Sequence, residues 1–209
     1  MTEKKGYFFS FCGLDGSGKT TQANLLKDYL QSKGYKVSIV SGYKPPINVQ
    51  NLKDVAQKLG KDYQELFSSG NVTMSLFLDL WIHTKEDIIP KIEQGEIVIS
   101  ERYWESSTIY APFFGVDEEF MNKIAAQFII PDLFIYLNIQ PEKAYKRVVN
   151  RSKAENVPIM KKENLTVMEN IYAKYNEFAK EQNAANISIH TDDKFVVFNQ
   201  IKNAVDGIL

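Results

Sequence analysis

The sequence predicts an α/β chain: a three-layer α/β/α fold with a five-stranded parallel sheet and helices on both faces. Three observations carry this. Five short apolar runs recur along the 209 residues, and each is followed by a stretch of helical spacing. A glycine-rich turn joins the first run to the first helical stretch. The length suits one domain, residues 1–209, with a sizeable core. Right-handed crossovers then place every strand's C-terminal end on one edge, where ligands bind in such sheets.

The elements follow in order. Tyr7-Phe8-Phe9-Ser10-Phe11-Cys12 reads as the first strand and Thr21 to Lys33 as an amphipathic helix, stopped by Gly34. Val37-Ser38-Ile39-Val40 is the second strand, and two prolines make Ser41 to Pro46 a loop. Residues 47–70 are mixed and polar, with one or two short helices that the pattern does not place. From Met74 to Ile92 the apolar positions Phe77, Leu78, Trp81, Ile82, Ile88 and Ile89 repeat at helical spacing; Pro90 should kink this helix and Gly95 end it. Ile97-Val98-Ile99 is a buried strand opening onto Ser100-Glu101-Arg102-Tyr103. A helix over Asp117 to Ile130 stops at Pro131, Leu133 to Ile139 is a strand, and Pro141 suits a first helical position. A polar, Lys-rich gap at Ser152 to Glu163 precedes a helix from Leu165 to Glu181. Ile187-Ser188-Ile189 is the last strand and Lys194 to Ile208 the last helix.

Composition narrows the partners. A hydrophobic fraction of 44% and a charged fraction of 24% are ordinary for a soluble globular protein. A net charge of −1 gives no support for nucleic-acid binding, which needs a basic surface. No apolar run approaches the roughly 20 residues of a membrane helix. The single Cys12 cannot form an internal disulfide. These features, with a polar N-terminus, lead us to expect a soluble, cytoplasmic protein with no membrane or nucleic-acid partner.

The stretch Gly13-Leu14-Asp15-Gly16-Ser17-Gly18-Lys19-Thr20 fits G-x-x-x-x-G-K-[ST], the loop of P-loop NTPases. Its glycines let backbone N–H groups turn towards phosphate oxygens, and the helix start aims its positive end at the same anion. Lys19 reaches the outer phosphates, and the Thr20 hydroxyl can stand on Mg²⁺. ATP and Mg²⁺ are therefore the expected cofactors. Gly13, Gly16, Ser17, Gly18, Lys19, Thr20 and Thr21 are the expected nucleotide-binding residues. The strand-edge rule adds Ser41 to Pro46, Glu101-Arg102-Tyr103 and His190-Thr191-Asp192 to the site.

Gly13 to Thr20, continuing through Thr21-Gln22, resembles the opening of the thymidylate kinases. Gly95 to Tyr103, with Ser106, Ser107 and Tyr110, is similar to that family's strand ending in D-R-Y, and Pro131-Asp132-Leu133-Phe134-Ile135-Tyr136-Leu137 resembles its next strand. The gap at 152–163 sits where the family has its mobile lid, so the match spans most of the chain apart from about 43–72. The departures lie on the acceptor side. The family's R-E-P-G-G is replaced by Ser41-Gly42-Tyr43-Lys44-Pro45-Pro46. Leu80 stands where the family's D-R-x-x-H carries an arginine beside thymine. Y-Q-G becomes Tyr110-Ala111-Pro112, and the lid offers Lys153, Lys161 and Lys162.

The resemblance implies phosphoryl transfer from ATP to a nucleoside monophosphate, dTMP or a related pyrimidine, by a homodimer pairing through the long helix. Lys19 would hold the β- and γ-phosphates, Thr20 and Glu101 the Mg²⁺, and Arg102 the acceptor phosphate. Asp15 would hold a sugar hydroxyl or Mg²⁺, or brace the turn. Arg147 and Arg151, with the lid lysines, would close over the phosphates. Tyr43, Phe77, Trp81, Ser106, Ser107 and Tyr110 are the candidate acceptor contacts, with Phe77, Trp81 and Tyr110 either stacked on a base or packed in the core. His83 and His190 show no metal or triad pattern. Two alternatives remain: a deoxynucleoside kinase, which expects a carboxylate base at the second strand's end, and a nucleotide-binding protein with a degenerate acceptor site.

Overall fold

The computed structural model describes residues 6–41, 47–155 and 164–209. The strands are β1 (Tyr7–Cys12), β2 (Val37–Ser41), β3 (Ile97–Glu101), β4 (Leu133–Asn138) and β5 (Ala185–Ser188). They form one parallel sheet in the order β2-β3-β1-β4-β5. In register, Phe9 of β1 lies between Ile99 and Leu133. The chain leaves β1 towards β2 but leaves the neighbouring β3 towards β4. Right-handed connections that run in opposite directions from adjacent strands cover opposite faces of the sheet and leave a crevice at the strands' C-terminal ends.

The helices are α1 (Lys19–Ser32), α2 (Ile47–Lys58), α3 (Tyr63–Leu66), α4 (Ser69–His83), α5 (Ile89–Glu93), α6 (Trp104–Tyr110), α7 (Glu118–Ala125), α8 (Pro141–Glu155), α9 (Leu165–Glu181) and α10 (Lys194–Asp206). Alternate residues of a strand face opposite sides, and β1 shows the result. Phe9 and Phe11 join one core cluster with Leu26 and Leu30 of α1 and Val197, Ile201 and Val205 of α10. Phe8 joins another with Phe77 and Leu80 of α4, Ile92 of α5 and Met121 of α7. Helices thus cover both faces, as expected from the buried strands. At the start of β4, Asp132 locks to β1 twice: Phe8 N donates to its carboxylate at 2.7 Å, and its own N–H donates to Phe8 O at 2.8 Å.

Several elements differ from the sequence expectation. The long helix is not simply kinked at Pro90. It runs as α4, widens into one π turn at Thr84–Ile88, and resumes as α5. Proline has no N–H to donate to the preceding turn, and the wider turn takes up the mismatch. Helix α7 ends at Ala125, short of Ile130. There Gln127 N and Phe128 N donate to carbonyls three residues back, and the Phe128 ring turns into the core. Helix α6 carries no amphipathic signal because all its residues but Trp104 are buried. Helix α2, unplaced by pattern, is fixed by Asp79 of α4, whose carboxylate accepts from Asn48 N at 2.7 Å, Asn48 Nδ2 at 2.8 Å and Val49 N at 3.3 Å.

Candidate active site

The loop after β1 is shaped by close backbone approaches. Gly13 has φ +131°, and a Cβ there would lie 2.8 Å from Leu137 O of β4. Gly16 has φ +81°, and its Cβ would lie 2.6 Å from Ala144 O of α8. Only glycine fits either position. Lys19 is the first residue of α1 and is buried. Its Nζ lies across the loop, donating to Leu14 O at 2.8 Å and Gly13 O at 3.1 Å. An ammonium and a helix N-terminus therefore converge on one point, which is an anion site.

The end of β3 faces this loop. The Thr20 hydroxyl donates to Glu101 Oε1 at 2.7 Å. A hydroxyl and a carboxylate at this spacing suit a hard cation, and no group of three or more His, Cys, Asp or Glu forms a metal cage among the described residues. Such a donor pair fits Mg²⁺, which takes its other oxygens from phosphates and water.

Arg102 is the most constrained residue of the site. Its backbone is left-handed at φ +70°, unusual for a side chain of this size. Backbone and side-chain contacts together hold it there. Arg102 N donates to Phe11 O at 2.9 Å, and Ser100 Oγ donates to its carbonyl at 2.5 Å. Its Nη2 pairs with Asp15 Oδ1 at 2.5 Å. Nη1 donates to Ser106 Oγ and Tyr175 Oη, each at 3.3 Å, and the guanidinium lies 5.6 Å from the Tyr110 ring centre. The twist carries the side chain off the strand and across to the phosphate loop. Asp15 thus braces Arg102, a role the sequence did not suggest.

Sequence reasoning missed two members of this cluster. Glu105, fully buried in α6, accepts from Tyr103 N and Ser106 Oγ, both at 3.1 Å. Burial pushes its carboxyl up to about 7, against the hydrogen bonds from Tyr103 N and Ser106. Tyr175 arrives from α9, and its hydroxyl lies 3.0 Å from Ser106 Oγ. Glu105 left no signal in the sequence, since α6 shows no periodicity from which its burial could be read. Tyr175 had none, since its spacing is that of a core residue.

The remaining candidates fall into two groups. Arg147 of α8 donates to Gly16 O at 3.1 Å and pairs with Asp192 Oδ1 at 2.6 Å, with Lys143 of α8 also on Asp192. These cations hold the Asp192 carboxyl below the usual range. Arg151 and Lys153 lie further along α8, exposed, and Thr21 is exposed on the first turn of α1. Ser107 and Tyr110 are buried on α6. Phe77 and Trp81 pack edge-to-face against Phe128 at 5.0 and 5.1 Å, and Phe77 is 2% exposed, so Phe77 belongs to the core rather than the site wall. Leu80 is wholly buried in the same cluster. Tyr43, Lys44, Lys161 and Lys162 lie outside the described residues, as does 156–163 of the lid-like segment; Ser152 to Glu155 is the end of α8.

The model of one protein family, Thymidylate kinase, matches residues 11–201. The chain belongs to the thymidylate kinase family. That match takes in the phosphate loop, the Glu101-Arg102 strand end and the α9 residue that meets them. A thymidylate kinase of Thermosipho melanesiensis is 30% identical over 207 residues, 97% of this chain and 98% of the relative. One of Thermoanaerobacter sp. (strain X514) is 32% identical over 154 residues, covering 68% of this chain and 70% of the relative. A probable thymidylate kinase of Staphylothermus marinus is 34% identical over 149 residues, 70% of each. Among the described residues, no helix is long and apolar enough to cross a membrane.

Proposed function

We propose that this chain transfers the γ-phosphoryl group of ATP to the phosphate of dTMP, giving dTDP and ADP. The observation that carries the reading is the guanidinium of Arg102. The chain accepts a strained backbone to bring it beside Asp15, at the mouth of the phosphate loop, where the Thr20–Glu101 pair also opens.

Phosphoryl transfer asks mainly for positioning and for charge opposite the oxygens of the transferred group. Lys19 supplies a positive charge at the loop mouth, and the start of α1 adds its dipole. Thr20 and Glu101 are the residues that would hold Mg²⁺, which when bound neutralises phosphate charge. Arg102 presents a planar fork to the acceptor phosphate and keeps it in line with the donor. An acceptor phosphate is already anionic, so no general base is required. Arg147, fixed to Gly16 O and Asp192, buttresses the loop from the α8 side. Arg151 and Lys153, exposed near the end of α8, would supply cations to the phosphates as a lid closes. The family relationship supports a cytoplasmic homodimer paired through the long helix.

The test is ATP turnover by the purified protein with Mg²⁺ against dTMP, dUMP, dCMP, UMP, dGMP and thymidine, with Lys19→Ala as the blank. Turnover highest on dTMP is the expected result. Turnover on another monophosphate alone replaces the substrate, and turnover on thymidine alone replaces the reaction with nucleoside phosphorylation. ATP binding without turnover on any acceptor overturns the kinase reading.

A further inference from the structure

Three carboxylates are buried among the described residues, and two have evident structural uses. Asp79 holds the start of α2, and Glu96 joins Lys36 and Ser38. Glu105 differs. It makes no ion pair among the described residues, and its Oε2 has no hydrogen-bond partner there. A buried carboxyl with an orphaned oxygen is costly, and a neutral residue of the same shape would pack at lower cost. Its other oxygen, Oε1, touches the Ser106 hydroxyl, which together with Tyr175 Oη receives Arg102 Nη1.

We propose that Glu105 is a positioning residue: through the hydroxyls of Ser106 and Tyr175 it aims Arg102 at the acceptor phosphate, and its proton sets the direction of those hydroxyls. This rests on Arg102 being the acceptor clamp. As a carboxylate, Glu105 draws the Ser106 proton to Oε1. The Tyr175 O–H then donates to Ser106 Oγ, and both hydroxyl oxygens turn lone pairs to Arg102 Nη1. With a proton on Oε1, the carboxyl donates to Ser106 instead. Ser106 then donates to Tyr175, whose own proton must turn elsewhere, towards Arg102 among other directions. Both oxygens keep a lone pair for Arg102 Nη1, but the Tyr175 proton released from Ser106 now competes with the guanidinium for the space beside Tyr175 Oη, so the guanidinium is held less firmly.

The groups facing Glu105 leave it as the one that switches. Cys12 of β1, Tyr175 of α9 and the Tyr103 hydroxyl are all pushed up by burial and stay neutral, while Arg102 stays charged. The Glu105 carboxyl alone of this set titrates near neutrality.

The experiment measures kcat, KM for dTMP and KM for ATP from pH 5.5 to 8.5 for the wild type, Glu105→Gln and Ser106→Ala. The phosphate of dTMP itself ionises near pH 6, so the readout is the ratio of wild-type to variant kcat/KM for dTMP. Glu105→Gln mimics the protonated state. The ratio should be close to one at pH 5.5 and rise about tenfold by pH 8.5, carried by KM for dTMP, with KM for ATP unchanged. A ratio that stays flat with pH, or an equal rise in both KM values, overturns the proposal. Should Glu105→Gln not fold, Ser106→Ala removes the same relay and must show the same pH-dependent ratio. The guanidinium ¹⁵N resonances of Arg102, assigned with Arg102→Lys, separate this from the activity itself. If the wild type turns over no monophosphate, the proposed function fails, but Glu105 is still decided. A wild-type Arg102 signal that moves with a midpoint near pH 7 and is flat in Ser106→Ala supports the relay, and a wild-type signal flat throughout refutes it.

Discussion

At the scale of single residues, Arg102 concentrates most of the site's chemistry. Its fork meets Asp15 with one nitrogen and two hydroxyls with the other. A lysine carries the charge but cannot occupy both directions. Arg102→Lys should raise KM for dTMP roughly tenfold or more and leave KM for ATP within about twofold; steady-state kinetics with each substrate varied checks it. The sequence singled out Arg102 from its place at a strand end. It did not reveal Asp15 as the brace, because that contact spans 87 positions of chain. Leu80 makes the opposite point. It occupies the place of a base-reading arginine in the resemblance, yet its side chain is wholly buried among Phe77, Ile88, Tyr103 and Phe128. Leu80→Arg should therefore not improve dTMP affinity. It should destabilise the fold by roughly 3–5 kcal/mol, the range for an uncompensated buried charge, read as a drop in the urea midpoint.

At the scale of elements, polar side chains from one helix place the next. Asp79 receives two backbone N–H groups and one side-chain amide at the start of α2. Asp79→Ala leaves those donors without their acceptor and should cost about 2 kcal/mol. The loss should show in equilibrium unfolding and as faster proteolysis within residues 47–58. The pattern could not place α2 because its cap lies on another helix, 31 residues later. Helix α6 was illegible for a related reason. A short helix buried almost all round shows no periodicity, and its helical form is visible only once α4, α7 and α9 enclose it.

At the scale of the whole molecule, burying Glu105 couples the site to stability. Its carboxyl is raised from 4.5 to about 7 by burial. In the unfolded chain the group ionises near its ordinary value, so the folded state holds the proton over a wider range. The favourable contribution is complete below about pH 4.5 and is lost as pH rises through 7. Over that window the wild type should lose about 3 kcal/mol of stability from this group. Glu105→Gln has no proton to lose. Its stability relative to the wild type should therefore rise by about that amount between pH 4.5 and pH 8, measured by urea unfolding of both proteins at each pH. A constant difference across that range would show that burial does not raise the Glu105 carboxyl above its ordinary value in the folded protein.

The sequence by itself determined the parallel α/β architecture, all five strands, the phosphate loop and the Glu101-Arg102 strand end. These are local signals: apolar runs of strand length, a fixed glycine spacing and a short motif written in consecutive residues. Only the tertiary structure decided how those parts are tied together. It joined Asp15 to Arg102, carried Arg147 to Gly16 and Asp192, gave Asp79 to α2, and brought Tyr175 and Glu105 behind the guanidinium. Such contacts depend on distance and angle between elements that are remote along the chain, and packing alone sets both.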